Sequence, residues 1–227
     1  MEWYWRIEDG AHVLGFAPLP TGVLEFGFRG RLLVPGSPDP WSDRPQVRPG
    51  QVHGTQLAWA RNPGSLAACD AVRTSRPGLL LTVRTADCLP LLLSSPGEGI
   101  ALVHAGWRGL ADGVVETAVA TFVHPDRLQV VLGPAIGVCC FEVGEEVASR
   151  FPRSTGHRGG RIRPHVDLPA EARRRLLLAG VPEGRISPPA PCSRCHQHVL
   201  HSHRGSGGAP ERIVAYASWN PPLPHPE

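Results

Sequence analysis

The stretch Leu79–Leu110, LLLTVRTADCLPLLLSSPGEGIALVHAGWRGL, decides how this chain is read. Leu79–Val83, Leu89–Leu93 and Ile100–Val103 are near-continuous apolar runs, the pattern of strands covered on both faces. Thr85-Ala86-Asp87-Cys88 separates the first two, and the third ends in His104-Ala105-Gly106-Trp107-Arg108-Gly109. A thiol, a carboxylate, an imidazole and a guanidinium thus fall at the ends of neighbouring buried strands. A rigid sheet positions side chains there while loops leave them accessible. Taken singly, each suits a core cysteine or histidine beside a turn. Gln51-Val52-His53 upstream brings a further imidazole, and the set together favours chemistry.

Downstream, Arg108–Val123 carries Leu110, Val114, Val115, Ala118, Val119 and Phe122 at helical spacing and is expected to form one helix. Leu128–Leu132 reads as a strand, Gly133–Gly137 as a turn-rich loop and Val143–Phe151 as a short helix. Asp167–Ala179 is a helix with Pro169 in its first turn, Glu171 at its positive end and Gly180 closing it. Arg212–Trp219 is a final strand, Arg153–Arg163 a flexible Gly/Arg-rich segment, and Asn220–Glu227 a frayed Pro-rich tail. Upstream, Trp3–Val13 reads as one or two short strands and Val23–Val34 as a hairpin with glycine in its bend. Pro35–Pro49, with Pro35, Pro38, Pro40, Pro45 and Pro49, reads as a long loop, either a functional rim or mobile. Gln51–Arg61 reads as strand, glycine break, strand.

Repeats are absent, and strands and helices interleave irregularly. The fold expected is α/β of the α+β type, with mixed β-sheets in layers flanked by helices as in an αββα sandwich. One domain over 1–227 is expected: a divergent part at 1–50, a motif-bearing core at 51–219 and a tail at 220–227.

The chain has 227 residues, 41% of them hydrophobic, enough for a sizeable core. No apolar stretch reaches the length of a membrane span. The start, MEWYWRIEDG, lacks the pattern of a signal peptide, so a cytoplasmic protein with no membrane partner is expected. There is no lysine, which excludes Schiff-base catalysis and a P-loop. The net charge of +3 comes from arginines spread along the chain, not from the basic stripe of a nucleic-acid binder. Six cysteines in such a chain suit free thiols or metal ligands better than a disulfide framework.

His53, Cys88 and His104 form the central expectation. Two imidazoles and a thiolate suit zinc, and three protein ligands leave a fourth tetrahedral position for water or substrate. Their spacing is too wide for a zinc knuckle, so only tertiary structure can unite them.

QVHG, TADCLP, HAGWRGL and GPAIGVCCFEVG, in this order and at these separations, resemble the YfiH family, also called the laccase-domain or multicopper polyphenol oxidase family. The resemblance runs from about Gln51 to Trp219. It implies a purine nucleoside phosphorylase acting on adenosine, inosine and methylthioadenosine, with adenosine deaminase activity. It implies His53, Cys88 and His104 as metal ligands, with nucleosides and phosphate as partners. The chain departs from the family pattern twice. Its N-terminal part has only Thr21-Gly22-Val23-Leu24 where the family carries Gly-Gly-Val-Ser. Where the family reads Cys-Thr and then Phe-Ser-Tyr-Arg-Arg, it has Cys192-Ser193 and then His201-Ser202-His203-Arg204-Gly205. Ser202 and Arg204 are expected at the substrate rim.

Asp87 reads as a general acid/base, as a partner orienting a ligating histidine, or as a turn carboxylate held by backbone N–H groups. Arg108, opening the helix after His104, is the expected phosphate donor. Cys139 and Cys140 read as core thiols. CSRCHQHVLHSHR formally matches a haem attachment site, but the only methionine is Met1. A second metal site from Cys192, Cys195, His196, His198, His201 and His203 competes with a polar loop carrying incidental histidines, and the loop is favoured. Besides the zinc enzyme, three readings compete. One is a copper-dependent phenol oxidase, with Cu2+ in place of Zn2+. Another is a metal-free Cys88–His104 hydrolase, and the third a non-enzymatic zinc-stabilised module. A monomer or small homo-oligomer is expected.

Overall fold

The computed structural model describes residues 2–20, 22–32, 44–151, 155–156 and 163–220. In chain order the strands and helices are β1 (Glu2–Glu8), β2 (Ala11–Ala17), β3 (Val23–Leu32), β4 (Gln46–Pro49), β5 (Leu57–Trp59), β6 (Gly64–Leu66), β7 (Ala71–Thr74), β8 (Leu80–Thr85), β9 (Leu89–Ser95), β10 (Gly99–Ala105), α1 (Trp107–Asp112), α2 (Val114–Val119), β11 (Gln129–Leu132), α3 (Glu145–Ala148), β12 (Thr155–Gly156), β13 (His165–Val166), α4 (Leu168–Leu178) and β14 (Ile213–Trp219). A seven-stranded sheet has the order β1-β2-β3-β14-β8-β4-β6, and a five-stranded sheet the order β11-β9-β10-β7-β5. Strands β4, β5 and β6 pair in parallel in these otherwise antiparallel sheets.

The apolar runs follow from the layering. In β9, Leu89, Leu91 and Leu93 join the core shared with Leu110, Val114 and Ala118 of α1 and α2. Leu92 points the other way, into the core between the sheets with Phe28, Leu81, Ile100 and Leu102. A strand buried on both faces needs apolar residues at every position, so β9 shows no alternation. The layers are therefore sheet, sheet and helices, an α+β sandwich.

Several elements differ from the sequence expectation. Val23–Leu32 is one strand and not a hairpin. Its glycines allow close approach instead of a bend: a Cβ at Gly27 would meet the Tyr216 Oη at 2.6 Å, and one at Gly30 the Val199 carbonyl oxygen at 2.2 Å. The single helix expected over Arg108–Val123 is two, because Gly113 adopts φ 104° and closes α1 while opening α2. The end of the expected Pro-rich loop, Gln46–Pro49, is a strand pairing β8; the rest, up to residue 43, lies outside the described residues. Most of the Arg153–Arg163 segment and of the tail also lie outside them. Only the second half of Gln51–Arg61 is strand; Gln51 and His53 have φ 44° and 61°, which no strand allows.

Leu92 is fully buried between two antiparallel neighbours, opposite Leu102 and Val131. Leu92→Ala is expected to lower unfolding stability by about 2–5 kcal/mol, read from urea denaturation midpoints at unchanged slope.

Candidate metal centre

His104 is the penultimate residue of strand β10 and by the two-residue period shares a face with Ile100 and Leu102. Cys88 lies in the turn from β8 to β9, and His53 in the irregular segment before β5. One ligand atom from each lies within 4.8 Å of the others, and the two imidazoles meet edge to face with centroids 4.9 Å apart.

Asp70 makes this meeting possible. It is fully buried just before β7, beside His104. Its Oδ1 accepts from the His53 N–H at 2.9 Å and faces His104 Nδ1 at 2.8 Å. Its Oδ2 accepts from the N–H groups of Val52 at 3.2 Å and Gly54 at 2.7 Å. One carboxylate therefore shapes the Val52–Gly54 turn and orients the His104 ring, leaving Nε2 toward Cys88. Gln51 pins the same segment to β8, its amide donating to the Arg84 carbonyl at 2.6 Å and accepting from the Arg84 N–H at 2.8 Å. Two glycines clear the space: a Cβ at Gly106 would meet His53 Cδ2 at 2.7 Å, and one at Gly109 the Gly54 carbonyl oxygen at 2.5 Å.

Charge follows geometry. Burial pushes the Cys88 thiol up, but His104 and His53 together outweigh it and bring it down to about 7. Burial pulls His104 down, while Asp70 and then Cys88 raise it to about 9. The thiol proton is thus readily given up, as binding of a cation by sulfur requires. The donor set fits a thiophilic divalent ion with an open position.

A cavity of about 540 Å³ opens on the three residues, with Arg84, His203 and Arg212 also in its wall. A second, of about 390 Å³, shares Gln51, Arg84 and Arg212 and adds Arg29, Arg48 and Glu211. The structure brings His53, Cys88 and His104 together, but places the other expected residues elsewhere. Asp87, at φ 84°, accepts from Ser193 Oγ and the Arg204 N–H, each at 2.7 Å, so it holds the C-terminal loop and does not face the cavity. Ser202 is buried and caps Gly205, and the Arg204 side chain donates to the Glu142 carbonyl. Arg108 is exposed over the Trp107 ring, 4.3 Å from its centroid, on a helix of six residues, outside the lining of either cavity.

A family model described as multi-copper polyphenol oxidoreductase laccase matches residues 41–219. The chain is 38% identical to a purine nucleoside phosphorylase of Deinococcus radiodurans, over 74% of this chain and 68% of that protein. It is 37% identical to adenosine deaminase RL5 of an unknown prokaryotic organism, over 71% and 70%. The crystal structure of hypothetical protein YfiH from Bacillus licheniformis superposes with a TM-score of 0.71 at 25% identity, covering 77% of this chain and 74% of that one.

Asp70→Asn tests the shared carboxylate. An amide has one acceptor oxygen, so either two backbone N–H groups or the imidazole and His53 N–H would face an NH2 group. Zinc affinity, measured by competition with a chromophoric chelator, is expected to fall about 10- to 100-fold. Far-UV circular dichroism should retain the strand signal.

Proposed function

The chain belongs to the laccase-domain, or YfiH, family, and on that premise we propose a zinc-loaded purine nucleoside phosphorylase that also deaminates adenosine. The observation that carries the reading is the His53–Cys88–His104 set, oriented by a buried carboxylate at the wall of an arginine-lined cavity. Zinc bound there would supply Lewis acidity at its fourth position. His53, Cys88 and His104 would hold it, and Asp70 would fix the His104 tautomer.

Phosphorolysis joins a phosphate oxygen to the anomeric carbon while the glycosidic bond breaks, its electron pair leaving with the purine, which takes a proton. With no lysine in the chain, the phosphate dianion falls to guanidinium groups. Arg84 and Arg212 line both cavities, which suits them to hold it, in place of Arg108. Deamination joins water to the purine carbon bearing the amino group and expels ammonia, with no need of the anion site. His203 is the remaining imidazole of the cavity wall, which suits it to give a departing base its proton.

Two further readings have observations behind them. Two histidines and a cysteine are also the donors of a blue-copper centre, which needs a weak axial ligand from methionine, glutamine or a carbonyl. Met1 is the only methionine, and the Gln51 amide is spent on Arg84. The lowered Cys88 thiol beside the raised His104 also suits a metal-free hydrolase. Activity that survives metal removal but not thiol alkylation would select that reading, and phenol oxidation with bound copper the other.

Arg84→Ala and Arg212→Ala are each expected to raise the phosphate KM about ten- to a hundred-fold, as a lost charge-assisted bond requires. Adenosine deamination should change less, and Arg108→Ala should spare both. Cys88→Ala is expected to abolish turnover with an unchanged circular dichroism spectrum. Full activity in Cys88→Ala would overturn the reading.

A further inference from the structure

The second group of converging donors involves no histidine. Cys139 and Cys140 sit in the loop after β11, and Cys192 and Cys195 in the loop leading to β14. All four sulfurs lie within 4.8 Å of one another. Cys139 and Cys140 are not the core thiols their sequence suggested: Cys139 is exposed and Cys140 half-buried. The histidines of the same stretch turn elsewhere, His196 to the Cys192 carbonyl and to the Trp5 ring.

The spacing is that of a coordination shell. A tetrahedron with Zn–S bonds near 2.3 Å has sulfur–sulfur edges of about 3.8 Å. Cys195 Sγ lies 3.7 Å from that of Cys139 and 3.6 Å from that of Cys140. None of the four is in a disulfide. The loops are built around the cluster. The Gly137 N–H donates to Cys192 Sγ at 3.2 Å, and Ser193 N–H to the Ala135 carbonyl at 2.9 Å. The turn holding Cys139 and Cys140 closes through Cys140 and Phe141 N–H groups on the Gly137 carbonyl. Residue 137 is glycine for space: a Cβ there would lie 3.2 Å from Cys139 Sγ and from Cys192 Cβ.

We propose that Cys139, Cys140, Cys192 and Cys195 bind a second, structural zinc ion, closed by four thiolates. Each thiol releases its proton to solvent as its Zn–S bond forms. Without a cation, burial and then Cys195 push the Cys140 thiol up to about 11, burial shifts Cys139 the same way, and against burial Cys192 shifts down through the hydrogen bonds it accepts. A dication offsets the cost of burying the thiolates. The ion clips the β11 loop to the C-terminal loop, whose Ser193 and Arg204 grip Asp87 and whose His203 and Arg212 line the cavity.

Elemental analysis of protein purified under reducing conditions with zinc is expected to give two ions per chain. Cys139→Ser and Cys195→Ser should each leave one, and so should Cys88→Ala, by losing the other. After cobalt replaces zinc, the intense sulfur-to-metal charge-transfer absorption should largely persist in Cys88→Ala and fall in Cys195→Ser to the weaker band of the single Cys88 thiolate. Should the serine variants fail to fold, the wild type decides: a mercurial titration should release the second zinc in step with four thiols. One zinc per chain that Cys88→Ala abolishes would overturn the proposal. So would a mass two hydrogens short in the reduced preparation, showing a disulfide, or iron with acid-labile sulfide at the cluster.

Discussion

The buried carboxylate of Asp70 is the constraint on which the rest of the centre depends. An ionised carboxylate is tolerated in a protein interior only where hydrogen bonds replace the water it gave up. Here three backbone N–H groups and an imidazole do so, and all belong to the segments carrying His53 and His104. The same bonds hold the Asp70 pKa down against the effect of burial. Satisfying the charge and assembling the centre are therefore one event. The left-handed backbone at Gln51 and His53 costs energy in isolation, and the carboxylate and the Gln51 amide stabilise it from two sides.

Much of this was legible in the sequence where periodicity or family motif spoke directly. The runs in β8, β9 and β10 announced doubly covered strands, and the donors at their ends were picked out together with His53. Asp70 was missed, although an aspartate inside Leu66-Ala67-Ala68-Cys69-Asp70-Ala71-Val72 is a charge in an apolar setting, which needs a partner. Gly113 was read as part of one continuous helix because its neighbours keep helical spacing; only its backbone angle reveals the break. Arg108 drew attention by nearness along the chain. The cavity arginines are neighbours across strands instead: Arg84 lies opposite Val214 in the antiparallel pairing of β8 with β14, and Arg212 comes just before. Such pairing is invisible to a reading that moves along one segment.

Asp87 shows the same lesson in another form. Its place beside Cys88 suggested a part in the chemistry, whereas both oxygens are taken by the loop that follows Cys192. The two thiol groups are thus connected. The turn presenting Cys88 is held by the loop presenting Cys192 and Cys195, and that loop also supplies the far wall of the cavity. The chain uses its polar interior bonds to tie distant segments together where the sheets end.

Strand β14 has a consequence for biosynthesis. It lies between β3 and β8, so among the described residues it is the strand that joins the N-terminal three strands to the rest of the seven-stranded sheet. While the ribosome is still translating, β3 and β8 each present an unsatisfied edge with no neighbour to fill it. The sheet closes only once Trp219 has cleared the exit tunnel. Until then both edges stay open to pairing with other chains, and truncation before that point should yield aggregates in place of a smaller folded protein.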